Sequence, residues 1–273
     1  MSEPQEYTDH LGVVRRLGMI PADSVALKKR GRMMGFRELL QSKGLDLIPE
    51  SQWVDIDASH ECTKAFTYDQ GSTSSCVGAS ECAAEVKTRS RLGMKFERLS
   101  PSFTYAFING GRDSGAMILD AMESAVKNGH CLESEFNYPK LFRNQIPDSA
   151  IASGLTRQST LAFPCDTIEE AATAIQMGFV VQHGVMAGGS FGSFDSDGVS
   201  RVEGGYANHS VHSFAMKRIG GKWRYHMGNT WGNWGPFGNG TCYLKAAGLI
   251  LQGDAFVHVS AERLTSDLPT PHK

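Results

Sequence analysis

Hydrophobic and polar positions change rhythm once along this chain, near Gly178. Before that point the pattern is helical. Between Ala116 and Lys127 the apolar residues Met117, Leu119, Met122, Ala125 and Val126 recur mainly at spacings of three and four, and Gly129 follows as a stop, so an amphipathic helix is predicted. Ser80–Arg91 is rich in helix formers, acidic at its start and basic at its end, which complements the helix dipole. Ser100-Pro101 caps a short helix through Tyr105 and Phe107, and Thr167 with Glu170 forms a capping box for another that ends near Gly178. A short helix is also predicted at Phe36–Lys43, with Gly44 as its left-handed stop. After Gly178 strands take over, at 179–186, 210–218, 223–228, 240–245 and 254–261, and Gly220-Gly221 reads as a two-residue hairpin turn. Helices first and antiparallel strands later predict an α+β chain of two segregated lobes with a ligand between them.

Composition narrows the function classes. At 273 residues and 41% hydrophobic the chain can bury a sizeable core as one large domain or two lobes, and 30 glycines predict many turns and close backbone approaches. A net charge of −2 offers no general attraction to nucleic acid or to an anionic membrane, and neither is expected as a partner. The exception is local: Lys28, Lys29, Arg30, Arg32, Arg37 and Lys43 cluster with only Glu38 among them. Such a run usually lies solvated; its alternative use is as a contact for an assembly partner. Six cysteines without a CxxC pair exclude a disulfide scaffold and a zinc ribbon, and the polar start MSEPQEYTDH has no secretory pattern. No apolar run reaches the ~18 residues of a membrane helix. These features point to a cytoplasmic or otherwise intracellular setting, incorporation into a viral particle included. His60-Glu61-Cys62 lacks a second ligand cluster and reads as surface loop, and no phosphate-cradling glycine motif is present, so no metal and no cofactor are expected.

Cys76 carries the candidate chemistry. It lies where the loop DQGSTSS enters the Ser80–Arg91 helix, and unpaired N–H groups at a helix start stabilise a thiolate, so an acidic thiol is expected. A buried structural thiol is the commoner reading of an isolated cysteine, so its partners decide. Gln70, followed by Gly71, can turn its amide beside the Cys76 N–H to form an oxyanion hole. Far along the chain, the Gly220-Gly221 hairpin brings Asn208-His209 and Asn229 side by side, which supplies a base and a neutral group to orient it. Trp231 is placed to shield that pair. His212 is the competing base, and because residues three apart on a strand point to opposite faces, it and His209 are not expected to share a metal ion.

These residues resemble the papain-like cysteine peptidases. The family's QGxxxSC segment is matched by Gln70, Gly71, Ser75 and Cys76, its NHxV by Asn208 to Val211, and its NSWG by Asn229 to Gly232. The resemblance runs from about Trp53 to Val259. It implies a helical left lobe, an antiparallel β-barrel-like right lobe and a cleft between them, with Cys76, His209, Asn229 and Gln70 catalytic. Gly115, Trp231 and Asn208 are the implied substrate-binding positions; Gly110-Gly111 matches the family's glycine pair by sequence, but Gly115 is better placed. Thr73 and Ile108 stand where papain has a disulfide, and Val77 replaces the tryptophan after the nucleophile. Residues 1–52 are then a basic arm or short prosegment, 53–265 the peptidase domain with lobes meeting near 160, and 266–273 a tail. The long helical prosegment of secreted relatives is missing, so short-armed bacterial or viral types are the closer comparison. The implied activity is hydrolysis of a peptide or protein substrate. The alternatives are a silent interaction module of a larger assembly, and a transpeptidase or amidase using the same Cys–His chemistry.

Overall fold

Ordered structure starts where the hydrophobic pattern predicts none. The computed structural model describes residues 5–158 and 161–259. Gln5–Thr8 (β1) and Val14–Leu17 (β2) pair as an antiparallel hairpin, Ser24–Arg30 (α1) is capped by the Asp23 carboxylate, and Phe36–Ser42 (α2) ends before Gly44 at φ 70°. The expected solvated arm is therefore corrected in part: the arm packs on the body, while of its basic cluster Lys28, Lys29, Arg32, Arg37 and Lys43 are exposed and Arg30 is buried. Leu17, Phe36, Leu39, Leu40 and Ile48 join the same buried cluster as Trp231, Trp234 and Val257. The arm's cations pair with carboxylates of the body: Arg30 with Asp166 at 2.8 Å, Arg37 with Glu170 at 3.4 Å and Arg16 with Asp113 at 3.4 Å.

The left lobe is built from Cys76–Arg91 (α3), Pro101–Ile108 (α4), Ile118–Asn128 (α5) and Asp148–Leu155 (α6). Every residue of α3 from Cys76 to Thr88 is buried, so the helix lacks a polar face and shows no clear stripe. Gly78 lets α4 approach, since a Cβ there would meet the Pro101 carbonyl oxygen at 2.9 Å. Charges buried on α3 are matched individually. Lys87 donates to the Glu61 carbonyl at 2.8 Å and lies 4.1 Å from the Phe214 ring, while Glu61 accepts from Arg91 at 2.7 and 2.9 Å. Residues 60–62 are thus not a surface loop at Glu61, which is 1% exposed because it neutralises the end of α3.

The right lobe contains Leu161–Pro164 (β3), Ile168–Gln176 (α7), Val180–Val185 (β4), His209–Ile219 (β5), Lys222–Gly228 (β6), Thr241–Leu244 (β7) and Ile250–Val259 (β8). The strands form one antiparallel sheet in the order β3-β8-β4-β5-β6-β7. Among the described residues β3 and β7 are its edges, so the sheet curves without closing into a barrel. The capping box at Thr167 and Glu170 is present, and Gly220 and Gly221 have φ of 58° and 75°, as the β5–β6 turn requires. β8 starts four residues before the expected 254; positions 260–261 and the tail 266–273 lie outside the described residues. Below the start of α3 the lobes are pinned together: Gln182 Nε2 donates to the Val77 carbonyl at 3.1 Å, to Ser80 Oγ at 2.7 Å and to Ser210 Oγ at 3.0 Å. Among the described residues no helix is long and apolar enough to cross a membrane.

Candidate active site

Cys76 is the first residue of α3, where the loop from Asp69 turns in. That turn is made locally. Asp69 Oδ1 accepts the Gly71 N–H at 2.9 Å, Gly71 takes φ 58°, and the Thr73 N–H returns to the Gln70 carbonyl. Gln70 is then locked from the right lobe, its Oε1 accepting from Thr230 Oγ1 at 2.7 Å and Trp231 Nε1 at 3.2 Å. Its Nε2 donates one hydrogen to the Thr73 carbonyl at 2.7 Å and presents the other to the cleft. The Gln70 N–H to Thr230 carbonyl bond, 2.8 Å, holds the two walls in register.

His209 opens β5, and Asn229 follows the last residue of β6. The His209 Nε2 to Asn229 Oδ1 distance is 2.7 Å, and Asn229 Oδ1 also accepts the Thr230 N–H at 2.7 Å. His209 Nδ1 is buried and has no hydrogen-bond partner among the described residues, so it is the nitrogen left for proton transfer. Trp231 stacks on the imidazole at 4.4 Å, with Phe191 edge-on at 6.0 Å. His212 faces elsewhere: its ring lies against Gly228, whose missing Cβ makes the space. The Cys76 sulfur lies against the backbone N–H groups of Ser210, Gly18 and Val77.

The Gly18 contact is the finding that sequence reasoning missed, because the cleft is occupied by the arm. Arg16 gives its carbonyl to Gln70 Nε2 at 3.0 Å, Gly18 gives its carbonyl to the Ala116 N–H at 2.8 Å, and Ile20 returns an N–H to the Ala116 carbonyl at 2.9 Å. Met19 donates to the Asn208 carbonyl at 3.2 Å, and its side chain packs beside Gly184 in the cluster that contains Cys76, Ala116 and Ala207. Gly18 and Gly115 pass each other without side chains: a Cβ on Gly18 would overlap the Ser74 carbonyl, and one on Gly115 would overlap that of Gly18. Gly115 therefore lies at the cleft, while its neighbour Ala116 makes the paired backbone bonds. A Cβ built on Gly110 or Gly111 would meet nothing within 4 Å. The Asn208 side chain instead holds Ala187, accepting its N–H at 2.7 Å and donating to its carbonyl at 3.0 Å. Beyond Arg16 the hairpin covers the tryptophan flank, with Tyr7 stacked on Trp231 at 5.7 Å.

This cover reverses the expected acidity of the thiol. Burial pushes the Cys76 pKa up to about 11, against the lowering effect of the N–H groups around it. Burial likewise takes His209 down to about 4, opposed by its bond to Asn229. With the arm in place both groups are neutral at pH 7. The helix start is where expected; desolvation is the stronger effect, and loop sequence does not announce it. The other five cysteines are free thiols, Cys62 half-buried and the rest buried. Glu81, Cys82 and His130 form a buried group in which one ligand atom of each lies within 4.8 Å of the others, with Glu81 facing Nε2 of His130 at 3.4 Å and Cys82 facing Nδ1 at 4.0 Å.

No protein-family model matches the chain, and no curated protein matches it. Solved structures do. Xylellain, a cysteine protease from Xylella fastidiosa, superposes with a TM-score of 0.66 at 18% identity over 94% of this chain and 98% of that one. Digestive procathepsin L 3 from Tenebrio molitor larval midgut gives a TM-score of 0.61 at 17% identity, covering 86% of this chain and 77% of that one. A ragweed pollen cysteine protease allergen in its proform gives 0.60 at 17%, covering 86% and 76%. The arrangement of a central helix headed by Cys76 against a six-stranded sheet headed by His209 is the fold of the papain-like cysteine proteases.

Proposed function

We propose that the chain is a thiol peptidase whose cleft is closed at rest by its own residues 5–20. One observation carries the reading: a cysteine at a helix start, an anchored glutamine amide and a histidine oriented by an asparagine at 2.7 Å converge on one cleft. In the open state His209 Nδ1 takes the Cys76 proton and the thiolate attacks a peptide carbonyl. Gln70 Nε2 and the Cys76 N–H receive the developing oxyanion. His209 then protonates the leaving amine and later activates water to release the acyl group. Asn229 holds the ring, and Trp231 keeps water from the bond between them. Asn208 and the Gly115-Ala116 backbone, which now bind the arm, are the positions for substrate backbone.

The arm imitates that substrate without being a good one. Its Arg16 carbonyl takes the oxyanion donor, but the next amide, of Leu17, leads toward Ala116 rather than to the Trp231 flank beside His209. Protonation of that amine is disfavoured, which supports residues 1–52 as a latency segment removed by displacement or by cleavage elsewhere. Two of the similar structures are pro-forms, which supports the same reading. Titration with a peptidyl epoxide tests it. Full-length protein with the arm displaced is expected to gain one adduct on Cys76 and to cleave peptides, and Cys76→Ser to do neither. A displaced arm with no adduct and no cleavage would favour the silent module; a product that carries an added amine would indicate a transpeptidase.

A further inference from the structure

The arm leaves a mould of what the cleft accepts at one position. The Arg15 side chain is 6% exposed, and its guanidinium donates to Asp69 Oδ1 at 3.0 Å and to the Trp231 carbonyl at 3.2 Å, 5.9 Å from the Trp231 ring centre. Its other partner, Asp9 at 3.0 Å, belongs to the arm and departs with it. What stays is a built site: a carboxylate, a carbonyl and an aromatic face. Asp69 is held in position from both sides, since its Oδ1 accepts the Gly71 N–H at 2.9 Å and Gly232 packs against its Oδ2. Trp231 also stacks on His209, the group that protonates the leaving amine, so this flank faces the departing half of a substrate.

We propose that Asp69 and Trp231 form a guanidinium site that selects peptides with arginine on the leaving-group side of the cleaved bond. The proposal rests on the peptidase reading above. Carboxylate and carbonyl acceptors match the fork of N–H groups on a guanidinium, and the indole face adds attraction for a cation. A neutral side chain in it forgoes the ion pair and the cation–ring contact, while the Asp69 carboxylate, 53% exposed, stays hydrated, so the preference for charge is modest in size.

The test uses full-length protein carrying Gly18→Trp to displace the arm. Pairs of internally quenched peptides differ only in arginine or its uncharged analogue citrulline, placed in turn at each of several positions after the cleaved bond. At one position arginine is expected to raise kcat/KM about tenfold over citrulline, the size of a partly exposed charge-assisted pair. Asp69→Asn in the same background is expected to bring that ratio to about one and Asp69→Glu to keep part of it; the ratio is internal to each protein, so incomplete folding cancels. Equal cleavage of both peptides at every position, or a preference that survives Asp69→Asn, overturns the guanidinium site and leaves the peptidase reading standing. Cleavage of no peptide by any form removes the peptidase reading and this proposal together.

Discussion

Gly18 is the residue on which closure of the cleft turns. Its φ lies outside the left-handed region, so torsion does not require glycine there; space does. A Cβ would overlap backbone atoms of Ser74, which cannot swing aside as a side chain would. In Gly18→Trp the strand 16–20 has to leave. With it go the Gly18 carbonyl to Ala116 bond at 2.8 Å, the Ile20 bond at 2.9 Å, the Met19 bond at 3.2 Å and the Gln70 bond to Arg16 at 3.0 Å. Each is worth about 1 kcal/mol net, and burial of Met19, 5% exposed, adds about 2 kcal/mol. Freed backbone returns about 1 kcal/mol per residue over those five positions, so roughly 1 kcal/mol holds this strand closed before the hairpin and helix contacts are counted. The assay is alkylation of Cys76 by iodoacetamide followed by peptide mapping. The variant is expected to label at least about tenfold faster at pH 6, where a thiol still raised by burial is protonated. Cys82, Cys165 and Cys242, all buried, serve as controls for unfolding. Labelling of Cys76 at the wild-type rate in a folded Gly18→Trp protein would refute arm closure as the cause of the thiol's raised pKa.

Three further outcomes are expected. In the Gly18→Trp background, Gln70→Ala removes an oxyanion donor and should lower kcat about 100- to 1,000-fold while leaving epoxide labelling of Cys76 detectable; a loss under threefold would place the donor elsewhere. Acidification should destabilise the fold. Burial holds His183, His209 and His258 at about 4 and His226 at about 3, so their contribution is complete above pH 6.5 and is lost progressively as pH falls toward those values, about 1.4 kcal/mol each at pH 5.5. Melting temperature recorded from pH 7.5 to 5 should therefore fall steadily, and a flat profile would contradict the neutral burial of these rings. Glu61→Ala leaves Arg91 and Lys87 without their carboxylate and should cost about 3–5 kcal/mol in urea unfolding, against under 1 kcal/mol for an exposed pair.

The residues of the candidate site were legible because each sits in a short local device. A turn made by Asp69-Gln70-Gly71, a helix start at Cys76 and a glycine hairpin joining His209 to Asn229 are all governed by neighbouring residues, and their type and order restrict the chemistry. Most strands and helices of the body were legible for the same reason, to within about four residues at their ends, but α6 and β3 were not predicted. The arm was not. β1 and β2 are four residues each, α1 is seven, and the basic run reads as solvated, because the carboxylates that receive Lys29, Arg30 and Arg37 lie 94 to 136 positions further on. Nothing beside Gly18 in the chain announces the Ser74 carbonyl it must clear, and nothing near Cys76 announces the burial that raises its pKa. By itself the sequence determined which groups are candidates for the proposed chemistry and which lobe carries each. Only the tertiary structure decided that they are covered, since cover depends on contacts between distant segments whose energies no local pattern encodes.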